Sequence, residues 1–311
     1  MKKVFDPEEF ESRNLPFKVN RLSPTIGGEL LGINLSKPLS EELKDLIYEA
    51  LLVYKVIFFR DQKITREQHI KFGRDFGELE KLQVSQKGPG DFVTASDKKA
   101  EKIIIEELQF ARPDHGILSE EIGEIKGKNE FRWIIDPIDG TSNFLHGIPH
   151  FCISIALEKE KEIIAGLVFD PIKNELFCAE KKKGAFLNNQ KIRASGRSKL
   201  NESLFLTGGP KATSKIKEKI LDEYMAISKK TNAPIRKSGS AALDMAFVAS
   251  GRCEAYWQRD INYWDIAAGI ILVKESGGFV NDLNGGNDYL SKKEILATNS
   301  NINTEFIELI K

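Results

Sequence analysis

The sequence predicts a globular α/β protein built as a layered sandwich. Hydrophobic residues make up 41% of its 311 residues and charged residues 30%, which is typical of a globular chain. Strand-like segments are flanked on both sides by helix-like segments, and the sequence shows no internal repeat. Because a sheet must bury its apolar face against another element, this alternation favours stacked layers of helices and sheets.

Charge, cysteine content and hydropathy exclude several classes of function. The chain carries 46 basic and 46 acidic residues, and this zero net charge argues against broad electrostatic binding to nucleic acid or membrane. Cys152, Cys178 and Cys253 form no CxxC pair, which favours a reducing compartment over disulfides or a zinc finger. Met1–Phe10 lacks the apolar core of a signal peptide, and the apolar run Ile266–Val273 is too short to span a bilayer. We therefore expect a cytoplasmic protein.

The first part of the chain, residues 1–80, is predicted to form a small α/β appendage. Leu43, Ile47 and Leu51 recur at helical spacing, after Ser40 as the N-cap residue. The other predicted elements are a strand at Glu29–Leu31, a strand at Val56–Phe59, a turn at Arg60–Gln62 and a helix that Thr65 caps and that runs through Phe76.

Residues 15–80 resemble the N-terminus of the taurine and 2-oxoglutarate-dependent dioxygenase family. The resemblance rests on Gly27–Glu29, Asn34–Leu39 and Val56–Gln62. That family holds iron with an H-x-D/E pair and a distant histidine, but no histidine here is followed two places later by an acid. We therefore expect a truncated segment that binds neither iron nor 2-oxoglutarate, fused to the rest of the chain.

The second part, residues 81–311, is predicted to be the catalytic domain, with strands and helices in alternation. The helical periodicity predicts helices at Asp97–Leu108, Ala241–Ala249 and Trp264–Glu275, the last ended by Gly277 and Gly278. The predicted strands are Phe131–Ile135, Phe151–Leu157, Ile163–Phe169 and Glu175–Ala179.

The string DPIDGTSNF, which follows the strand Phe131–Ile135, has the residue types of a metal and phosphate site. Asp136 and Asp139 lie at the end of a buried strand, where two carboxylates repel each other unless a cation lies between them. Oxygen ligands suit Mg²⁺, and the N–H groups at the following helix start suit a phosphate. A bare DxxDG pattern is also typical of a solvated turn that caps a helix, but the complete string is more specific.

Three further segments belong to the same pattern. They are Leu118–Glu121, Lys87–Asp97 and Tyr263–Gly269. Taken singly, each is typical of an ordinary feature: an exposed acidic pair, a loop with an N-cap, and an Asp that caps a helix. Their joint occurrence around Asp136 favours a common site.

Together these segments resemble the inositol monophosphatase family, across residues 81–311. The resemblance implies an α-β-α-β-α sandwich similar to fructose-1,6-bisphosphatase, and Mg²⁺-dependent hydrolysis of small phosphate monoesters. It implies that a first metal ion is held by Glu120, Asp136 and the backbone carbonyl of Ile138. It implies that a second is held by Asp136, Asp139 and Asp265, with a third, weaker ion near Glu120.

The resemblance also implies roles in catalysis and substrate binding. Asp97 and Thr141 match residues that orient or activate the attacking water, and Glu120 joins them as a catalytic residue. The residues expected to contact substrate are Asp139, Gly140, Thr141, Gly239, Ala241 and Gln258. The family usually has Glu at the position of Gln258, so this residue accepts hydrogen bonds without the negative charge.

These features favour a phosphatase that acts, through water activated by two or three Mg²⁺ ions, on inositol monophosphate or a similar small polyol or sugar phosphate. The resemblance also implies a homodimer. Two alternatives remain open: a binding protein associated with the transcription machinery, which the neutral charge does not support, and an inactive chimaera.

Overall fold

The computed structural model describes residues 6–21, 27–54, 56–76, 84–88, 91–210 and 214–310. The chain divides into two compact units, Met1–Lys81 and Leu82–Lys311. The predicted junction near Glu80 lies outside the described residues, as do Pro89 and Gly90 of the segment Lys87–Asp97. Within the described residues, no helix is long and apolar enough to cross a membrane.

The first unit is a three-stranded sheet packed with helices. Its elements are α1 (Pro7–Glu11), β1 (Lys18–Arg21), β2 (Gly28–Leu31), α2 (Glu41–Tyr54), β3 (Ile57–Phe58) and α3 (Arg66–Arg74). β2 pairs antiparallel with β1 and parallel with β3. Leu30, Ile47 and Tyr54 are buried together. A Cβ on Gly28 would lie only 2.8 Å from the Tyr54 ring. This close approach explains why a glycine begins β2.

Both predicted helix caps in the first unit are confirmed. Ser40 Oγ accepts a hydrogen bond from the Leu43 N–H at 3.3 Å. Thr65 and Gln68 form a reciprocal capping box at the start of α3. The predicted strand at Val56–Phe59 is shorter than expected, because only Ile57 and Phe58 pair with β2.

The second unit contains two larger sheets and a hairpin. The first sheet is formed by β6 (Gly116–Ser119), β7 (Gly123–Ile125), β8 (Phe131–Asp139), β9 (Cys152–Lys159), β10 (Glu162–Asp170), β11 (Glu175–Glu180), β12 (Gly184–Leu187) and β13 (Gln190–Ile192). Its strand order is β13-β12-β11-β10-β9-β8-β6-β7, and only the β6–β8 pair is parallel among these described strands. The hairpin is β4 (Val84–Gly88) with β5 (Asp91–Thr94).

The second sheet has five strands in the order β15-β14-β16-β18-β17. They are β14 (Phe205–Thr207), β15 (Ile235–Arg236), β16 (Ala255–Arg259), β17 (Phe279–Asn281) and β18 (Glu294–Thr298). The helices of the unit are α4 (Ala95–Ala111), α5 (Thr141–Leu145), α6 (Lys217–Thr231), α7 (Ala241–Ala249), α8 (Tyr263–Glu275), α9 (Tyr289–Lys292) and α10 (Asn303–Ile310), with a short 3₁₀ turn at Leu200–Glu202.

The predicted layered sandwich is confirmed by how these helices pack. α7 and α8 share one core with both sheets, because Ala242 and Ile271 belong to the same buried cluster as Val168 of the large sheet and Tyr256 of the small one. α4 packs on the opposite face of the large sheet through Ile105. The outer face of the small sheet is covered by side chains of α6 and α10, in a cluster that includes Ile227, Trp257 and Phe306. The layers therefore follow the order α-β-α-β-α.

Candidate active site

The predicted site residues meet at one cavity of about 250 Å³ in the second unit. The predicted residues that line it are Glu120, Asp136, Ile138, Asp139, Gly140, Thr141, Gly239, Ala241, Gln258 and Asp265. Asp97 adjoins this cavity through Thr141, whose Oγ1 is 3.2 Å from Asp97 Oδ1. The fold thus assembles residues that are widely separated in sequence.

Strand β8 brings two of the acids to the cavity. We predicted that the strand ends at Ile135, but it runs to Asp139 and loses its regular register with β9 between Asp136 and Asp139. Gly140 follows with φ of 96°, in the left-handed region that favours glycine. A Cβ there would lie 3.1 Å from the His150 carbonyl oxygen. The irregular strand end and this glycine together turn the chain into α5.

Glu120 reaches the cavity through strand pairing. β6 lies parallel to β8 with Ser119 opposite Ile135, and the Glu120 N–H donates to the Ile135 carbonyl at 3.3 Å. Glu120 is therefore placed beside Asp136. Glu101 of α4, which our sequence analysis did not identify, supports this turn: its Oε1 accepts hydrogen bonds from the Ser119 hydroxyl and from the Glu121 N–H.

The carboxylates at this cavity repel one another. Asp136 is 1% exposed, and burial raises its pKa well above the usual range. The neighbouring charges of Asp139, Glu120 and Asp265 raise it further, while the Ile138 N–H, which donates to Asp136 Oδ1 at 3.0 Å, lowers it. A cation at this point would relieve the repulsion and restore the ionised form.

The ionised form of Asp139 is stabilised by hydrogen bonds from residues at the start of α7. Burial raises its pKa, and hydrogen bonds from Ser240 and the backbone N–H groups of Ala241 and Ala242 act in the opposite direction. Asp265 lies in the first turn of α8, where its Oδ2 accepts from the Asn262 N–H at 3.0 Å. The three acids Asp136, Asp139 and Asp265 are thus oriented by three different elements.

These oxygen donors fit Mg²⁺. Within the described part of the chain, no group of three or more His, Cys, Asp or Glu side chains has by itself the spacing to hold a metal ion. Mg²⁺ usually keeps several waters and binds through one or two carboxylates together with substrate phosphate, so an open set of acids is compatible with it. Zn²⁺ prefers nitrogen and sulfur ligands in a closed tetrahedron, which this set lacks.

Thr141 and Asp97 form a second pair at the cavity. Asp97 is fully buried at the start of α4, and Thr141 Oγ1 lies within hydrogen-bond distance of both Asp97 Oδ1 and the Ile138 carbonyl, at 3.2 and 3.0 Å. The single hydroxyl hydrogen can serve one of these acceptors at a time. Its oxygen lone pairs can then accept a hydrogen bond from a third group in the cavity.

Several lining residues were not among the predicted site residues. They are Ser142, Gly208, Gly209, Lys237, Ser240 and Asp244. Asp244 Oδ1 and His150 Nε2 are buried, 3.8 Å apart, and neither has a hydrogen-bond partner among the described residues. Burial raises the pKa of Asp244 to about 6. The only signal for Asp244 was its place one helical turn after Ser240.

Comparison with known proteins finds similar sequences. The model of the inositol monophosphatase family matches residues 55–311, starting ahead of the junction predicted near Glu80. An inositol-1-monophosphatase of Rhizobium meliloti is 47% identical over 239 residues, which cover 76% of this chain and 90% of the relative. A protein named Nus factor SuhB from Xylella fastidiosa is 46% identical, over 68% of this chain and 76% of the relative.

A solved structure shows the same fold. The extragenic suppressor protein suhB from Bartonella henselae aligns with a TM-score of 0.72 and 47% identity, and the alignment covers 77% of this chain and 92% of that one. None of these matches supports the dioxygenase-like fusion, which stays a prediction for residues ahead of the family match.

Proposed function

Because the chain belongs to the inositol monophosphatase family, we propose that it is a Mg²⁺-dependent phosphatase of small polyol or sugar phosphates, inositol monophosphate among them. The observation that carries this proposal is the convergence of four acids, Glu120, Asp136, Asp139 and Asp265, on one cavity. The family relatives named inositol-1-monophosphatase support the substrate class.

The chain's own residues would bind the ester and position the attacking water. Glu120, Asp136, Asp139, Asp265 and the Ile138 carbonyl would hold the metal ions. When bound, Mg²⁺ supplies neutralisation of charge on the phosphoryl oxygens and activation of the attacking water.

The phosphate and the water are placed by the start of α5. The backbone N–H groups of Gly140 and Thr141 would donate to phosphate oxygens. With its hydrogen donated to Asp97, the Thr141 hydroxyl oxygen would accept a hydrogen bond from the attacking water and so orient it. No cysteine or histidine lines this cavity among the described residues, so we propose direct attack by water.

The test measures phosphate release from inositol 1-phosphate with and without Mg²⁺, for the wild type and for Asp136→Asn. We expect the variant to lose activity by roughly two orders of magnitude or more and to lose the rise in melting temperature that Mg²⁺ causes in the wild type. Asp222→Asn, an exposed change on α6, serves as the control. Full Mg²⁺-dependent release by Asp136→Asn would refute the proposal.

A second candidate function is association with the transcription machinery. It is favoured by relatives that carry the name Nus factor SuhB at 39–46% identity. If this role is independent of catalysis, Asp136→Asn should retain salt-dependent binding to RNA polymerase or RNA while it loses phosphate release. Absence of binding by the wild type at low salt would rule this role out.

A further inference from the structure

The substrate side of the cavity is built from the ends of three neighbouring strands. β14 is parallel to both β15 and β16. Gly208 and Gly209 follow β14, Lys237 follows β15, and Gln258 lies near the end of β16; all four line the cavity. The carboxyl ends of parallel strands are where α/β sheets usually bind ligands, so these residues are placed to contact the alcohol portion of an ester.

Lys237 and Gln258 lie directly against the glycine pair. A Cβ on Gly208 would be 1.8 Å from Gln258 Oε1, and a Cβ on Gly209 would be 2.0 Å from Lys237 Nζ. The Thr207 hydroxyl, 2.8 Å from the Trp257 carbonyl, links this strand end to β16. The absence of side chains at both glycines thus lets an ammonium group and a carboxamide approach the same stretch of backbone.

The carboxamide of Gln258 presents donors to a ligand. Tyr256 is fully buried, and its hydroxyl donates to Gln258 Oε1 at 2.5 Å. Because this bond engages the carbonyl oxygen, the NH₂ group with its two N–H donors is the part that a ligand meets. A Glu at this position would offer only acceptors, so the ligand group beside Gln258 is better suited as an acceptor than as a donor.

Charge favours an anion at the same place. Two divalent cations would balance the four predicted metal-binding carboxylates. The remaining lining acid, Asp244, is buried beside His150. Lys237 is the only Lys or Arg among the described residues that line the cavity, and its side chain is exposed to solvent at the cavity. Lys237 therefore places a positive charge on the substrate side.

We propose that the preferred substrate is a phosphate monoester whose alcohol portion carries a second anionic group, a carboxylate or a second phosphate, bound by the Lys237 ammonium and the Gln258 amide. This inference rests on the proposed phosphatase function and narrows its substrate class. The alcohol hydroxyls of a neutral polyol would offer the Lys237 ammonium no anionic partner in the alcohol portion.

The test compares esters that differ only in the second charge. 3-Phosphoglycerate and glycerol 3-phosphate differ by a carboxylate in place of a hydroxymethyl group, and fructose 1,6-bisphosphate and fructose 1-phosphate differ by a second phosphate. We expect kcat/KM to be about tenfold higher for the ester with the second anionic group in at least one pair, which is the effect of one charge-assisted contact. Which pair responds identifies the second group.

Variants assign this preference to the two side chains. In Lys237→Gln the ratio within the responding pair should fall to about one, whereas Lys237→Arg should keep most of it. Gln258→Glu should lower the ratio by charge repulsion. Because each ratio compares two esters on the same variant, a general loss of folded protein cancels. Equal efficiency within both pairs in the wild type, or an unchanged ratio in Lys237→Gln, overturns the inference.

Failure of the proposed function can be told apart from failure of this inference. If neither inositol 1-phosphate nor any of the four esters is hydrolysed, the phosphatase proposal fails, and binding then tests the inference alone. Calorimetry with Mg²⁺ and phosphonate analogues of the same pairs should show about tenfold tighter binding of the analogue with the second anionic group. This difference should vanish in Lys237→Gln. Equal binding of both members overturns the inference.

Discussion

The Ser240 hydroxyl donates a hydrogen bond to Asp139 Oδ2 over 2.6 Å, and the Ala242 N–H donates to the same oxygen over 2.7 Å. One carboxylate oxygen of Asp139 is therefore engaged by the start of α7. Burial raises the pKa of Asp139, and the Ser240 bond is the largest effect that opposes it. Ser240 thus helps to keep Asp139 ionised for a cation.

Replacement of Ser240 by Ala should weaken Mg²⁺ binding, because protons then compete more strongly for Asp139. The loss should be several-fold and larger at pH 6 than at pH 8, since a raised carboxyl pKa matters most as the pH falls. The lost bond to a charged acceptor should also lower the free energy of unfolding by about 1.5–3 kcal/mol. Calorimetric titration with Mg²⁺ at both pH values measures the first effect, with the exposed change Ser300→Ala as control. Equal Mg²⁺ affinity of wild type and Ser240→Ala at pH 6 would contradict this role.

Glu101 should act as a positioning residue for Glu120. It is 1% exposed, and its Oε1 accepts from the Ser119 hydroxyl, from the Glu121 N–H at 3.0 Å and from the Ile122 N–H at 3.3 Å. Glu101→Gln removes the charge that these donors face and buries an NH₂ group. We expect a loss of about 1–3 kcal/mol in the free energy of unfolding.

The same variant should bind Mg²⁺ more weakly, because the turn that carries Glu120 loses its anchor; a purely structural residue would change stability alone. Urea unfolding and Mg²⁺ titration measure the two effects. Glu106→Gln, an exposed change on the same helix, should alter the free energy of unfolding by less than about 0.5 kcal/mol. Unchanged Mg²⁺ affinity in Glu101→Gln would show that Glu101 supports only the fold.

The parts of the site that the sequence predicts are those with a local signature. The DPIDGTSNF string contains its own strand end, glycine turn and helix start, so Asp136, Asp139 and Thr141 could be placed from neighbouring residues alone. The caps at Ser40 and Thr65 were found for the same reason, since a helix N-terminus has a local pattern.

The residues that were missed act through contacts between distant parts of the chain. Ser240 meets Asp139 across 101 positions. Even for Glu120, which was predicted, the position beside Asp136 depends on the parallel register of β6 and β8. Register and strand order are set by the packing of the whole sheet and not by either strand alone. Lys237 has no local signature, because its role depends on the neighbouring ends of β14 and β16.

Arg259, next to Gln258, should be required for stability. The three side chains of this ion cluster are largely buried, and the Arg259 guanidinium contacts Glu223 at 2.8 Å and Glu294. Arg259→Ala would leave two buried carboxylates without their cation, which typically costs about 3–5 kcal/mol. Urea unfolding should show this loss, and Arg236→Ala, at an exposed site on β15, should change the free energy of unfolding far less. A loss below about 1 kcal/mol in Arg259→Ala would mean that the cluster is solvated.

Asp282 should make the second unit sensitive to acid. It is 1% exposed, and burial raises its pKa. The Lys292 ammonium at 2.8 Å and the N–H groups of Gly286, Asn284 and Asp288 outweigh burial and lower the pKa to about 2. Because the pKa is lower in the folded state than the ordinary 3.8, the ionised form stabilises the fold above pH 4 by about 2 kcal/mol.

This stabilisation should be lost as the pH falls from about 4 toward 2, since the folded state must then take up a proton. Asp282→Asn should be less stable than the wild type by about 2 kcal/mol at pH 7, and this difference should shrink to about half at pH 3. Urea unfolding of both proteins at the two pH values measures it, with Asp222→Asn as the control for a general effect of charge. A difference that is the same at pH 3 as at pH 7 would show that the pKa of Asp282 is not lowered by these contacts.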